Sequence, residues 1–247
     1  MRELPGLLLT CEHGGNHVPE GYRGLFAGQR SLLDSHRGWD PGTLDFGRHM
    51  ARTLKVPLVA CETTRLLCDL NRNLGHRGLF SALTKKLSGA ERAAVLRDHY
   101  HPHRQMIASA LGMLLEQQGP PVYHIGLHSF TPALDGKERR TEIGLLCDPS
   151  FEREVALCRR WQRLLRRAMP GLAVHLNAPY KGVLDCLSNE LRGRFGEDEV
   201  VTVELEINQK FVGSALWPDL QEVLIETGAQ ALGDVTDKVV CVSDLLA

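Results

Sequence analysis

Histidines and carboxylates that could bind a metal ion follow short apolar runs at three separate places in the chain. They are Glu12, His13, His128, Glu204 and Glu206. Two imidazole nitrogens and one carboxylate oxygen, with the fourth position left to water, are the ligands of many catalytic zinc sites. No H-E-x-x-H or paired-cysteine motif is present, so spacing alone does not identify the ligands. The residue types indicate a catalytic metal site if the fold brings them together.

The third ligand would come from the segment 34–40, which leads into the first predicted helix. Asp40 is followed by Pro41, and this pair is typical of a helix N-cap and first helical position. One Asp40 oxygen can cap the helix while the other binds a metal. The alternatives for the third ligand are His36, Asp34 and Glu12.

Apolar runs alternate with helical stretches along most of the chain. Strands are predicted at 7–11, 57–61, 121–128, 142–147, 173–176 and 200–207. Helices are predicted from residue 40, over 88–118 with a capping box at Ser88 and Glu91 and a break at Pro102, and over 150–169, 184–194 and 218–232. Because strands joined by helices form β-α-β units, this order predicts an α/β fold with a mostly parallel or mixed sheet covered on both faces. Ligands of such sheets bind beyond the carboxyl ends of the strands.

Composition and charge favour one domain that acts on a small molecule. The 247 residues are 43% hydrophobic and contain no internal repeat or linker, so we expect a single domain over 1–247. Lysine plus arginine (29) nearly balance aspartate plus glutamate (30), which argues against nucleic acid or an anionic membrane as a partner. We also expect no membrane-spanning helix, because no run of about 18 apolar residues occurs.

Cysteine usage and the first residues favour a soluble, cytoplasmic protein. The seven cysteines are an odd number, none forms a C-x-x-C pair, and most lie in apolar stretches, which is typical of reduced and buried thiols. The first residues enter an apolar run too short for a signal peptide and lack a small-residue cleavage site, so we expect no export signal. The pattern gives no prediction of oligomeric state.

Five blocks of sequence resemble the signature blocks of the N-formylglutamate amidohydrolase family. They are 11–19 (CEHGGNHVP), 34–40 (DSHRGWD), 65–72 (RLLCDLNR), 128–132 (HSFTP) and 206–209 (EINQ). Several blocks in one order are far more specific than any single block. The resemblance implies a three-layer α/β fold similar to that of zinc carboxypeptidases and zinc N-acetylmuramoyl-L-alanine amidases.

The same resemblance implies a zinc ion, or another divalent cation, bound by His13, Asp40 and His128. Asp40 departs from the amidase pattern, in which the carboxylate ligand is a glutamate. Glu206 corresponds to the glutamate that serves as the base in those enzymes. Glu204 stays open as the base, because the two side chains share one face of a strand at period two.

Arginines near these blocks are candidates for binding a substrate carboxylate, because a guanidinium offers two parallel donors. The resemblance to the amidases favours Arg65, as a donor to the reacting oxygen, and Arg72, as a substrate-binding residue. Asp69 could neutralise either of them. The other candidates at the site are Arg139, Arg140, Ser129, Asn177, Tyr180 and Lys181.

Four further histidines are predicted to lie at the surface or to cap helices. They are His17, His99, His101 and His103. H-x-H spacing on a helix points side chains to different faces, which argues against a shared metal. His101, next to Pro102, is a candidate for the outer shell of the metal site.

The resemblance implies a zinc-dependent amidohydrolase that converts N-formyl-L-glutamate to formate and L-glutamate. Two alternatives stay open. One is a deacylase or cell-wall amidase that acts on another N-acyl amino acid or peptide, against which the lack of an export signal argues. The other is a metal-free protein that binds acidic metabolites.

Overall fold

A six-stranded mixed sheet lies at the centre of the protein. The computed structural model describes residues 4–183 and 186–233. Within them the strands are β1 (Leu7–Cys11), β2 (Leu58–Ala60), β3 (Val122–Phe130), β4 (Ala133–Leu134), β5 (Lys137–Glu138), β6 (Ile143–Leu146), β7 (Val174–Leu176) and β8 (Val200–Asn208). The sheet has the order β2-β1-β3-β8-β6-β7, and β4 and β5 form a separate hairpin. The strands β1, β2, β3 and β8 are parallel, whereas β6 is antiparallel to β8 and parallel to β7.

Five of the helices in the described residues cover the two faces of this sheet. The helices are α1 (Arg30–Leu33), α2 (Thr43–Leu54), α3 (Gly89–Val95), α4 (His101–Gln118), α5 (Glu152–Ala168), α6 (Leu187–Arg194) and α7 (Trp217–Gly233). The helices α1 and α3 lie apart from the sheet. The main core packs one sheet face against α2, α5 and α7, and the second core packs the other face against α4 and α6. The predicted three-layer α/β class is therefore confirmed.

The two faces of the central strands differ in polarity. One face of β3 and β8 is apolar except at Ser129 and includes Ile125, Leu127 and Val203, each of which contributes roughly 1.5–3 kcal/mol by burial. The opposite face is apolar only at the amino ends of the strands and becomes polar towards their carboxyl ends. Its buried polar residues are Thr10, Glu12, His124, His128, Thr202, Glu204 and Glu206. The sheet thus carries its functional groups on the face that is covered by α4 and α6.

The predicted strands are all present, with ends that differ by at most two residues. The capping box of Ser88 and Glu91 is confirmed. The predicted break at Pro102 is wrong, because the chain stays helical from Gly89 to Gln118 with a π-helical turn at Leu96–Tyr100. Pro102 lies in the first turn of α4, where its missing N–H costs little. Residues 184 and 185 of the predicted helix 184–194, the first three residues and the tail from 234, with Cys241, lie outside the described residues.

The first predicted helix starts later than expected, so Asp40 is not its N-cap. The helix α2 begins at Thr43, and Gly42 holds the N-cap position in a left-handed conformation with φ of 82°. A Cβ atom at Gly42 would lie 2.8 Å from the Val212 side chain, so this position requires glycine for space as well as for backbone conformation. The turn leaves the Asp40 carboxylate free to face the sheet. Among the described residues, no helix is both long and apolar enough to cross a bilayer.

Candidate metal centre

Two histidines and one aspartate converge near the carboxyl ends of β1 and β3. Among the described residues, His13, Asp40 and His128 form a buried group whose ligand atoms lie within 4.8 Å of one another. The Asp40 Oδ2 atom lies 3.3 Å from His13 Nδ1 and 3.1 Å from His128 Nδ1. The ring centroids of the two histidines are 5.2 Å apart. The structure therefore brings together the three residues that the sequence predicts as ligands.

Backbone hydrogen bonds fix the main-chain positions of these three residues. His13 lies two residues after the end of β1, and its carbonyl oxygen accepts a hydrogen bond of 2.9 Å from the Asp40 N–H. This bond joins the segment before α2 to the end of β1. His128 lies inside β3, which continues two residues past it, and it is paired in the parallel ladder with Glu206 of β8.

The three donors fit a small divalent cation of the zinc type. Ligands about 2.0–2.1 Å from a tetrahedral zinc ion lie roughly 3.3–3.4 Å from one another. The two nitrogen-to-oxygen separations of 3.3 and 3.1 Å agree with such an arrangement. Two imidazoles and one carboxylate, with one side open to the cavity, are also the donor set of a catalytic zinc site.

Asp69 supports the first histidine from behind. The His13 Nε2–H group donates to Asp69 Oδ1 over 2.7 Å. An ionised carboxylate can only accept, so a proton on Nε2 satisfies this bond, and the Nδ1 atom that faces Asp40 would then be available to a cation at the cluster. Burial raises the pKa of Asp69, but Arg65 and His13 outweigh burial and hold this pKa well below its usual range.

Arg65 links the two aspartates of the cluster. Its guanidinium donates to Asp40 Oδ1 over 3.2 Å and to Asp69 Oδ2 over 2.7 Å. Burial raises the pKa of Asp40, but His13, His128 and Arg65 lower it below its usual range. Arg65 therefore keeps both carboxylates ionised and aligned.

His128 has a carboxylate near each of its two ring nitrogens, and the Asn71 amide group also lies beside the outer nitrogen. Burial lowers its pKa, but the hydrogen bond to Asp40 and the nearby carboxylates of Glu204 and Glu206 raise the pKa to about 10. Its outer nitrogen, Nε2, lies 3.4 Å from Glu12 Oε2 and 3.2 Å from Asn71 Nδ2. Such an electron-rich environment suits a histidine beside a cation.

The two glutamates of β8 differ in their surroundings. Glu204 Oε1 accepts a hydrogen bond of 3.1 Å from Ser188 Oγ. Glu206 Oε2 is buried and has no hydrogen-bond partner among the described residues. Burial, Asp40 and Glu204 raise the pKa of Glu206 to about 8, although His128 opposes them. A carboxylate of raised pKa next to a cation site suits proton transfer near neutral pH.

A cavity of about 130 Å³ opens onto the cluster. Its lining residues are His13, His36, Asp40, Arg65, Asn71, Arg72, His128, Ser129, Phe130, Thr131, Tyr180, Cys186, Glu204 and Glu206. Ser129 faces it with its hydroxyl group donating to Pro41 O over 2.9 Å. Apart from His13, Asp40, His128 and the two glutamates of β8, four predicted site residues line this cavity: Arg65, Arg72, Ser129 and Tyr180. A fifth, Arg139, lies at its mouth through its contact with Tyr180.

Arg139 and Asn177 are placed differently from Arg72. Arg139 Nη1 donates to Tyr180 Oη over 3.0 Å, so it lies at the cavity mouth behind this ring. Asn177 is not brought into the cavity, because its Oδ1 accepts from the N–H groups of Cys147 and Gly182. Asn177 has a φ of 51° and stabilises a turn. Arg140 and Lys181 are exposed.

The alternative third ligands lie outside the cluster. Asp34 is paired with Arg30 and Asn16. His36 lines the cavity without joining the group of three. Glu12 faces the outer nitrogen of His128. Burial raises the pKa of Glu12, but His103 and His128 lower it below its usual range.

His103 is buried, which corrects its prediction as a surface residue. Its side chain is 4% exposed and faces Glu12. The apolar stripe of Ile107, Leu111 and Leu114 on α4 runs back through position 103, and this spacing of three and four residues could have identified it. Asn71 and Cys186 also line the cavity without having been predicted individually.

Comparisons with known proteins agree with this geometry. The model of the N-formylglutamate amidohydrolase family matches residues 6–212. A gene product of Agrobacterium tumefaciens of known structure is 25% identical, with 94% of this chain and 92% of that chain covered and a TM-score of 0.81. An N-formylglutamate amidohydrolase from Ralstonia eutropha JMP134 is 20% identical, with 95% and 97% covered and a TM-score of 0.67. Among curated proteins no significant match was found. Because the family model spans most of the sequence and its blocks build the cluster, this chain belongs to the N-formylglutamate amidohydrolase family.

Proposed function

We propose that this protein is a zinc-dependent amidohydrolase that removes the formyl group from N-formyl-L-glutamate. The observation that carries the proposal is the convergence of His13, His128 and Asp40 beside a buried carboxylate, Glu206, that has no partner among the described residues. Family membership supports the amidohydrolase class. A divalent cation at the cluster would supply Lewis-acid activation of the acyl carbonyl and of water.

The residues of the chain divide the remaining work between them. Glu206 takes a proton from the attacking water and delivers it to the amide nitrogen as the C–N bond breaks, which yields formate and the free amine. Arg65 keeps Asp40 and Asp69 ionised and directs a positive charge at the cavity, where negative charge develops on the acyl oxygen. Glu204 is the weaker candidate for the base, because Ser188 already donates to it.

Arg72 is the proposed anchor for a carboxylate of the substrate. It lines the cavity, and its Nε atom lies 3.9 Å from Asp69 Oδ2, an oxygen to which Arg65 already donates. Its guanidinium is therefore only weakly paired with Asp69. Arg139 at the mouth and Ser129 inside complete the proposed binding set, and the placement of Asn177 supports a structural role instead.

Replacing Arg72 by glutamine should raise KM for N-formyl-L-glutamate by about 10- to 100-fold, because a hydrogen bond to a charged group is lost. The change in kcat should be small. Steady-state kinetics would measure both constants, with Arg140→Gln as the control for loss of an exposed arginine outside the cavity. If Arg72→Gln raised KM equally for an N-formyl amino acid with an uncharged side chain, binding of the side-chain carboxylate by Arg72 would be contradicted.

Metal removal and substrate screening test the function as a whole. We expect one equivalent of zinc per chain, loss of formate release after chelation, and recovery when zinc is restored. The assay should include N-formyl, N-acetyl and N-carbamoyl derivatives of acidic amino acids. Zinc-loaded protein without hydrolysis of any of them would contradict the proposal and favour a protein that only binds acidic metabolites.

The remaining features of the proposal concern the setting of the reaction. The cavity volume supports a small-molecule substrate over a cell-wall polymer. The six cysteines of the described chain are free thiols, which supports a reducing cytoplasmic location. We also propose that residues 1–247 form one domain, because the family match runs through every strand of the sheet.

A further inference from the structure

Glu12 is a buried carboxylate that the proposed reaction does not use. Its side chain is fully buried, and neither oxygen has a hydrogen-bond partner among the described residues. A buried carboxylate without partners destabilises the fold strongly unless something compensates for it. Two histidine nitrogens could form an ion pair with Glu12. His128 Nε2 lies 3.4 Å from Glu12 Oε2, and His103 Nε2 lies 3.7 Å from Glu12 Oε1.

The outer nitrogen of His128 has two neighbours with opposite requirements. When Glu12 is ionised, its carboxylate can accept hydrogen bonds but cannot donate them. The Asn71 amide group can only donate, because Asn71 Oδ1 already accepts the Leu187 N–H over 3.0 Å and Nδ2 is the atom 3.2 Å from His128. With the proton on Nε2, His128 directs that proton towards Glu12 Oε2, 3.4 Å away, and presents a free Nδ1 lone pair to the cluster. With the proton on Nδ1, it donates to Asp40 and accepts from Asn71.

We propose that Glu12 is a positioning residue that selects the His128 tautomer able to bind a cation, and that His103 holds Glu12 in place. The inference rests on the proposed function, since it requires a cation at the cluster. It gives His128 the same kind of support that Asp69 gives His13. Carboxylates behind metal-binding histidines orient the ring and strengthen the nitrogen as a ligand.

His103 connects this support to the helix layer. It lies on α4, its side chain is 4% exposed, and its Nε2 atom has no hydrogen-bond partner among the described residues. Its role would therefore be to supply a proton donor to Glu12 Oε1. A change at His103 would act on the metal through Glu12 without touching a ligand.

The test compares zinc affinities of the intact protein by chelator competition. Glu12→Gln should weaken zinc binding by about 10- to 100-fold, the usual cost of losing an outer-shell partner. Glu62→Gln is the control, because Glu62 is exposed and paired with Arg48, and it should leave the affinity within about twofold of the parent. An unchanged affinity in Glu12→Gln overturns the inference. A parent protein that binds no zinc overturns the proposed function instead, so the two failures are distinguishable.

Two further measurements test the inference even if Glu12→Gln does not fold. His103→Phe removes the donor but keeps an apolar ring and should weaken zinc binding, whereas His103→Gln keeps a donor and should restore most of it. Nitrogen-15 spectra of the zinc-loaded parent, assigned with His128→Gln, should show a protonated Nε2 with a downfield proton. A protonated Nδ1 on His128, or equal zinc affinity in the two His103 variants, overturns the inference.

Discussion

Glu206→Gln should lower kcat by about 10²- to 10⁴-fold, the usual contribution of a general base, while zinc stays bound. The amide keeps the shape of the carboxylate but cannot accept the proton of the attacking water. Because Glu206 is absent from the group of three ligand residues, the zinc affinity should change little. Formate release and metal content of the same preparation would measure the two effects separately.

The same substitution should stabilise the metal-free protein at high pH. The folded-state pKa of Glu206 is raised to about 8 from an ordinary value of 4.5, so the folded state holds this proton more tightly than the unfolded state. The associated stability is present below about pH 4.5 and is lost as the pH rises through about 8. Above that pH the loss is on the order of a few kcal/mol, and the glutamine variant avoids it.

Denaturation in a chelator at pH 5 and pH 8.5 would measure this effect. The glutamine variant should be the more stable protein at pH 8.5, by an amount that shrinks at pH 5. Glu204→Gln is the matched control, since Glu204 lies on the same strand face and is hydrogen-bonded to Ser188. A larger loss of kcat in Glu204→Gln than in Glu206→Gln would reassign the base.

Removing a ligand histidine should abolish zinc binding and activity together. We expect His13→Ala and His128→Ala to weaken zinc affinity by more than about 100-fold, which exceeds the usual cost of losing an outer-shell partner. Zinc should raise the midpoint of thermal unfolding of the parent, because a ligand that binds only the folded state contributes about 2.7 kcal/mol at 100 times its Kd. The two variants should show no such rise at the same zinc concentration.

The controls for this prediction are residues that the sequence offered as alternatives for the third ligand. His36→Ala removes a histidine from the cavity wall, and Asp34→Asn removes a carboxylate of the segment before α2. Both should keep zinc affinity within a few fold of the parent, while Asp40→Asn should lose it. If His36→Ala loses zinc and Asp40→Asn retains it, the third ligand is His36.

The sequence predicted the strands well because short runs rich in apolar and β-branched residues between helical stretches are typical of buried strands. Strands β3 and β8 alternate apolar residues with polar ones, and the polar positions from His124 to His128 and from Thr202 to Glu206 make one face of the site. The alternation does not report strand direction. The reversal of β6 and β7 relative to β8 follows from long-range pairing, which no local pattern encodes.

Two local features of the site escaped prediction for physical reasons. The pair Asp40-Pro41 has the form of a helix start, but Gly42 can adopt a left-handed conformation that delays the helix to Thr43. The π-helical turn before α4 inserts an extra residue, so a helical phase carried from residues 88–95 does not predict that His103 is buried, whereas the apolar stripe within α4 does. The first irregularity directs Asp40 towards His13 and His128, and the second precedes the helix that directs His103 towards Glu12.

The parallel ladder between β3 and β8 has a consequence for altering substrate range. His128 and Glu206 are cross-strand partners in that ladder, so their separation is set by main-chain hydrogen bonds. Loops can therefore change length or sequence without disturbing the reacting pair. Variation aimed at new acyl or amino-acid groups belongs in the turn that carries Tyr180, which lines the cavity, and in the exposed hairpin of β4 and β5, which follows the cavity residue Thr131.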